Sequence, residues 1–278
     1  MNKKLLYREV PDLTLFRTIT TGQGDSVSFE LHSHSSYEIF ILKSEKATFF
    51  AEGTIYPMQK DDVIIFNNKE LHNISFDNTQ PYERVVINFN PIITLPYDTE
   101  KYKILSTFHS RKNGKNNYIP REMLEKTAFY EILEKMLTVV ASSEAYSDIY
   151  LQTLFIQLLI EMNNASSLSE IKDYPRLSNE KTRKILSYIN DHLTEDLSLE
   201  YVAEEFHISK SNLCHLFKTV TGFSVKQYVT YRRIALAQKF LSEGYSTLEA
   251  SVAAGFNDYS NFYKTFKKFM GKPPIKFK

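Results

Sequence analysis

Three histidines and one carboxylate stand in a pattern able to do chemistry: His32 and His34, then Glu38, then His72 some 34 residues further on. Residues i and i+2 of a strand project to the same side. His32 and His34 on one strand, with Glu38 and His72 on neighbouring strands, would make an imidazole/carboxylate set able to hold a divalent metal or hydrogen-bond a polar ligand. Tyr37 and Arg17 are further pocket candidates, Arg17 because a guanidinium matches a carboxylate or a hydroxyl-rich ligand. No second acid–base residue can be placed beside the set. The set is therefore read as pocket or structural residues, with no catalytic residue, no metal and no cofactor expected.

A second constellation lies in the last hundred residues, where the sequence repeats itself. VAEEFHISKSNLCHLFKTVTG, from Val202, aligns with SVAAGFNDYSNFYKTFKKFMG, from Ser251. Ala203 matches Ser251, Ile208 matches Phe256, Leu213 matches Phe262, and Phe217-Lys218 matches Phe266-Lys267; the offset is 48 before the turn and 49 after it. A repeated apolar framework means two similar helical units. Each has the logic of a helix-turn-helix: a small residue allows close helix approach, an apolar plug fills the turn, and the second helix keeps one face free for a major groove. On that face stand Lys210, Ser211, Cys214, His215 and Lys218 in the first copy, and Tyr259, Ser260, Tyr263, Lys264 and Lys267 in the second. Arg232 and Arg233, on the helix between the copies, are placed near phosphates. The charge agrees, since residues 178–278 carry 15 Lys/Arg against 10 Asp/Glu, whereas the whole chain of 278 residues has a net charge of only +1. A basic region of this kind suits an acidic partner.

The elements that position these residues fall in two halves. Short runs rich in β-branched and aromatic residues predict strands at 13–20, 27–32, 37–42, 47–51, 63–66 and 84–89, with a hairpin at Glu52-Gly53, the pattern of a sandwich or barrel. Helical spacing follows at 121–139 and 147–162, helices that would pack on the strands or pair with a second copy. From residue 180 onward the chain predicts helices at 180–192, 198–206, 210–219, 224–242, 247–254 and 259–269, then a short terminal turn, with Ser198, Ser209 and Asn257 or Asp258 as caps. Cys214 is the single cysteine, which excludes an intramolecular disulfide and a multi-thiolate zinc site. The first residues lack the apolar stretch of a signal peptide and no run is long enough to span a bilayer, so the expectation is a cytoplasmic protein without a membrane partner.

The C-terminal hundred residues resemble the AraC/XylS transcriptional regulators. The resemblance is carried by Leu199, Val202-Ala203-Glu204, Ile208-Ser209, Leu216-Phe217-Lys218, Thr221-Gly222, Tyr231-Arg232-Arg233-Ile234, Ala254-Gly255-Phe256-Asn257-Asp258, Phe266-Lys267-Lys268 and Gly271-Lys272-Pro273-Pro274. It implies two helix-turn-helix subdomains joined by a long helix, which bind operator DNA and commonly act through RNA polymerase. Ser211, Cys214 and His215 stand where an Arg often sits, which predicts softer base readout in the first copy. His32-x-His34-x3-Glu38 with His72 resembles the cupin motif, and the stretch from Glu52 to His72 is similar to the sugar-binding-type cupin domain of many such regulators, with Asp61 where cupins favour Gly. The expected fold is thus mixed: a cupin-like β-barrel with packed helices at 1–165, a linker at 166–179, and an all-α double helix-turn-helix domain at 180–278. The expected function is a homodimeric regulator of operator DNA answering to a small effector, with sugar the class implied by the resemblance. Two other readings stay open: a regulator whose barrel only dimerises, and a metal-dependent cupin enzyme fused to a DNA-binding domain.

Overall fold

Val63-Ile64-Ile65-Phe66 is apolar throughout and buried throughout. A strand of this kind must be covered on both faces, and the first unit is built around that requirement. The computed structural model describes residues 2–21, 27–28, 36–52, 54–68, 70, 72–76, 79–167, 180–221, 223–270 and 273–277. The described residues up to 167 form one compact unit and those from 180 a second.

The first unit contains strands β1 (Asn2–Val10), β2 (Leu13–Thr20), β3 (Val27–Ser28), β4 (Tyr37–Leu42), β5 (Lys46–Ala51), β6 (Thr54–Gln59), β7 (Val63–Phe66), β8 (His72–Phe76) and β9 (Tyr82–Phe89). A 3-10 turn (Pro91–Tyr97), helix α1 (Ser106–His109), strand β10 (Tyr118–Ile119) and helices α2 (Arg121–Leu124), α3 (Phe129–Ala141) and α4 (Ser147–Ser167) follow. Six strands pair in the order β1-β2-β9-β4-β7-β10 and four in the order β3-β8-β5-β6. Side chains alternate between the faces of the six-stranded sheet. Ile39, Ile41, Val63, Ile65, Val85 and Ile87 share a core with Leu133 and Met136 of α3 and Leu151, Phe155 and Leu158 of α4. Their neighbours Phe40, Leu42, Ile64, Phe66 and Val86 share another with Phe49, Met58, Ile74 and Phe76 of the four-stranded sheet. The unit is therefore three layers: helices, sheet, sheet.

This corrects the expectation of a cupin-like β-barrel. Among the described residues neither sheet closes: the larger ends at β1 and β10, the smaller at β3 and β6. Short strands separated by turns fit a sandwich as well as a barrel, and closure depends on edge pairing that carries no sequence signal. The larger sheet is extended by β1, NKKLLYREV, which lies outside the strands the sequence predicts, and α3 and α4 occupy the face that a closed barrel would turn to solvent. The predicted helix at 121–139 is broken after Leu124, where Thr127 turns its hydroxyl back onto the Leu124 carbonyl at 2.8 Å.

The second unit is helical: α5 (Glu180–Asp191), α6 (Leu199–Glu205), α7 (Lys210–Thr221), α8 (Val225–Ser242), α9 (Thr247–Ala253) and α10 (Tyr259–Met270), closed by a 3-10 turn at Pro274–Phe277. The sequence spacing placed each of these to within two residues. Capping boxes start α8, through Ser224 and Gln227, and α9, through Ser246 and Glu249. Of the predicted linker, residues 168–179 lie outside the described residues.

One buried ion pair ties the segment after the sheets to the sandwich. Glu70 and Arg111 meet in a two-pronged contact, each nitrogen–oxygen distance 2.6 Å, with both side chains buried. The backbone N–H groups of Gly114 and Asn67 and the Asn117 amide also donate to Glu70, at 2.7, 2.9 and 3.0 Å. Gly114 adopts φ 71° and packs so tightly that a Cβ there would fall 2.9 Å from the Ala51 carbonyl oxygen. Burial alone would raise the Glu70 pKa, but the hydrogen bonds and charge of Arg111 outweigh it and hold the carboxyl below its ordinary value. A depressed carboxylate contributes its stability above its unfolded pKa and loses it as pH falls through the folded one. Arg111→Ala strands a buried carboxylate and is expected to cost about 3–5 kcal/mol. Urea unfolding at neutral pH checks this, and the deficit relative to the wild type should shrink at acid pH, where Glu70 is protonated.

Candidate functional site

Both copies of the sequence repeat fold as a helix, a tight turn and a second helix, and the matched residues do matched work. In the first, Ser198 caps α6 by accepting from the Tyr201 N–H at 3.3 Å, His207 takes a left-handed φ of 49°, and the Ile208 N–H donates to the Ala203 carbonyl at 3.0 Å. In the second, Gly255 takes a φ of 86° and the Phe256 N–H donates to the Ser251 carbonyl, also at 3.0 Å. Ser209 accepts from the Asn212 N–H at 3.2 Å, and Asp258 from the Asn261 N–H at 2.6 Å, so each second helix begins on a side-chain cap. Leu213 and Phe217 of α7, and Phe262 and Phe266 of α10, are fully buried and hold their helices to the core.

The opposite faces carry the predicted contact residues. Ser211, His215 and Lys218 on α7 are exposed at spacings i, i+4, i+7; Ser260, Lys264 and Lys267 on α10 are exposed at the same spacings. Cys214 and Tyr263, also at matched positions, are half-buried beside them. Lys210 and Tyr259, the first residues of the two helices, each bond back to the preceding helix: Lys210 to Glu200 at 2.7 Å, Tyr259 to the Thr247 hydroxyl at 2.9 Å. Lys268, exposed on α10, joins the basic surface beside the predicted contact residues. The two Arg residues of α8 are half-buried. Arg233 donates from Nε to the Leu193 carbonyl and from Nη2 to the Glu195 carbonyl, both at 2.7 Å, so its fork is engaged within the protein. An Arg whose acceptors are backbone carbonyls leaves no side-chain partner to find in a sequence.

In the first unit the six predicted pocket residues separate. Glu38 on β4 and His72 on β8 meet across the interior between the two sheets, with Oε1 and Nε2 3.8 Å apart and both residues buried. The His72 ring stacks on Phe66 at 3.7 Å between centroids, and its Nδ1 lies 3.0 Å from the Glu70 carbonyl oxygen. Tyr82, buried nearby, has its hydroxyl pKa pushed up by burial, and Arg84 lies over its ring at 5.1 Å. Tyr37 and Arg17 are on the other face of the same sheet. Tyr37 packs on Phe89 and Phe108 and hydrogen-bonds His109 at 3.0 Å; Arg17 pairs with Glu83 at 2.5 Å. His32 and His34 lie outside the described residues. Among the described residues no three His, Cys, Asp or Glu side chains gather as a metal site, and no helix is long and apolar enough to cross a membrane.

Comparison with known proteins finds matches in both units. Residues 202–278 match the helix-turn-helix domain, and residues 18–159, half of the chain, match the AraC-like ligand binding domain. The uncharacterized HTH-type transcriptional regulator YbfI of Bacillus subtilis is 22% identical over 240 residues, covering 86% of this chain and 83% of YbfI. The HTH-type transcriptional activator RhaS of Escherichia fergusonii is 21% identical over 253 residues, covering 89% and 86%. The multiple antibiotic resistance protein MarA of Salmonella typhimurium is 36% identical over 95 residues, covering 34% of this chain and 75% of MarA. YbfI and RhaS carry the names of HTH-type transcriptional regulators, and the family matched over both units is one of regulators, which does not support the metal-dependent enzyme reading.

A lysine that meets a phosphate leaves a defined signature. Lys264→Ala and Lys267→Ala are each expected to weaken binding to all DNA sequences alike and to lower the salt slope by about one. His215→Ala is expected to relax sequence preference while leaving that slope unchanged. Fluorescence anisotropy across a salt series separates the two.

Proposed function

We propose that this chain, which belongs to the AraC family of helix-turn-helix transcriptional regulators, grips one operator through two successive major-groove contacts made by α7 and α10. The observation that carries the reading is the matched exposure of Ser211, His215 and Lys218 with Ser260, Lys264 and Lys267. Lys218, Lys264 and Lys267 supply phosphate contacts, and Ser211, His215, Ser260 and Tyr263 face base edges. Binding of this kind, with recruitment of RNA polymerase, requires no chemistry of the protein itself.

The first unit supplies the second copy and the effector. The outer face of α4 presents Ile149, Tyr150, Thr153, Gln157, Ile160 and Asn164, all exposed and none charged. An uncharged stripe on a 21-residue helix fits pairing with the same helix of another copy. The effector reading rests on Glu38 and His72, whose carboxylate and imidazole suit the hydroxyl groups of a sugar. A specific observation also favours the reading in which this unit only dimerises: the interior between the sheets is filled by Phe40, Phe49, Phe66 and Phe76, all buried.

Selection of duplexes from a random pool by the full chain, at fixed salt and with and without a panel of sugars, tests the whole. The expected result is one recurrent sequence with two half-contacts about one helical turn apart; no sequence preference at any salt would reject the reading. A sugar that changes the affinity supports the effector, and loss of its effect in His72→Phe would assign the site. Tyr150→Glu with Ile160→Glu is expected to turn the protein into a monomer by light scattering while the unfolding midpoint of the first unit stays within a few degrees of wild type.

A further inference from the structure

The two turns differ at one matched position, and the difference locates a joint. His207, the left-handed residue of the first turn, has an exposed side chain; its counterpart Gly255 is buried. A Cβ on Gly255 would fall 2.8 Å from the Leu193 carbonyl oxygen, 2.9 Å from Thr194 Cα and 3.0 Å from Arg233 Nε. The turn of the second helix-turn-helix thus packs its bare backbone against the segment that leaves α5 and leads into the first. Arg233 completes the contact by donating to the carbonyls of Leu193 and Glu195 on that segment.

Arg233 also stands where α8 passes from one core to the other. Before it, Tyr228 donates to Asn190 of α5 at 3.2 Å and packs edge-on to Phe217 of α7. After it, Ile234, Ala237 and Leu241 share a core with Phe262 and Phe266 of α10. A continuous helix transmits position along its axis, but a swivel of one core against the other is resisted only by contacts that bridge them. The planar fork of an arginine, bonded to two carbonyls, is such a contact, and a lysine cannot reproduce its geometry.

We propose that Arg233, clasping residues 193–195 against the turn at Gly255, is a positioning residue that sets the angle between α7 and α10, and hence the half-contact spacing the protein accepts. The proposal rests on the reading that both helices contact one duplex. It differs from a phosphate contact by Arg233 in what it leaves unchanged: the clasp governs spacing, whereas a phosphate contact governs salt dependence.

The test uses the full chain and the duplex it selects from a random pool, with one base pair inserted or deleted between the half-contacts, a rotation of about one tenth of a turn. The wild type is expected to lose about tenfold in affinity on either altered duplex. Arg233→Ala and Arg233→Lys should both weaken binding to the selected duplex and reduce that penalty to about threefold or less, with the salt slope unchanged. Gly255→Ala, which keeps the guanidinium, should flatten the spacing dependence in the same way. An intact penalty in Arg233→Lys overturns the clasp, also where Arg233→Ala fails to fold. A slope lowered by about one in Arg233→Ala with the penalty intact would make Arg233 a phosphate ligand. A wild type indifferent to loss of either half-contact would overturn the two-helix reading, and the clasp with it.

Discussion

Covering both faces of one sheet at once is the constraint on which the first unit depends. Strands β4, β7 and β9 bury apolar residues at odd and even positions alike, so neither face is open to water. One face is closed by the smaller sheet, and the other by α3 and α4. The chain must therefore cross from the sandwich to the helical layer, and the crossing places a polar stretch against the core. Glu70 and Arg111 make that possible, because the guanidinium forks onto the carboxylate and the carboxylate also collects the Gly114 N–H and the Asn117 side-chain amide of the crossing segment. Buried pairs of this kind add little over apolar packing, yet losing one partner is severe. The pair's role is thus to specify a path for the chain.

The second unit meets a different demand. Two similar helix-turn-helix units must be held at a fixed angle if they are to meet one rigid ligand together. Duplication alone provides two faces but no angle between them. The departures from symmetry supply it: a glycine where the first copy has a histidine, and an arginine on the shared helix whose acceptors lie in the loop after α5. The faces that meet solvent stay matched while the joint does not.

The helices of the second unit were legible because each boundary is written in side chains, as in Ser198, Ser209 and Asp258, and because the repeat checks each copy against the other. Strands β1 and β8 were not, whereas β6 followed from the hairpin at Glu52-Gly53. The residues of β1 and β8, with Lys3 and Lys4 and His72-Asn73, lack the β-branched run that marked their neighbours, and they are strands because a partner edge is available. Of the pocket candidates, adjacency alone separates Tyr37 from Glu38, since neighbours on a strand face opposite ways. That signal was present in the sequence. The sequence also grouped Glu38 with His72, though on neighbouring strands and not across facing sheets, and it placed Arg233 near phosphates, because carbonyl partners common to every residue leave no mark in it.

The order of strands in the larger sheet has a consequence for synthesis. Leu13 pairs with Phe89, and Arg8 reaches the Val139 carbonyl 131 residues further along the chain. β1 and β2 can pair early as a hairpin, but the β2–β9 seam and the contact with α3 must wait until much of the first unit has left the ribosome, and pairing across such separations is slow. The second unit relies more on contacts within helices and between neighbouring ones, with spans such as Arg233 to Leu193 shorter than those of the larger sheet, and such topologies form more quickly. The half of the chain made last is therefore the half that folds faster, while the half made first carries open strand edges for longest and is the one exposed to aggregation.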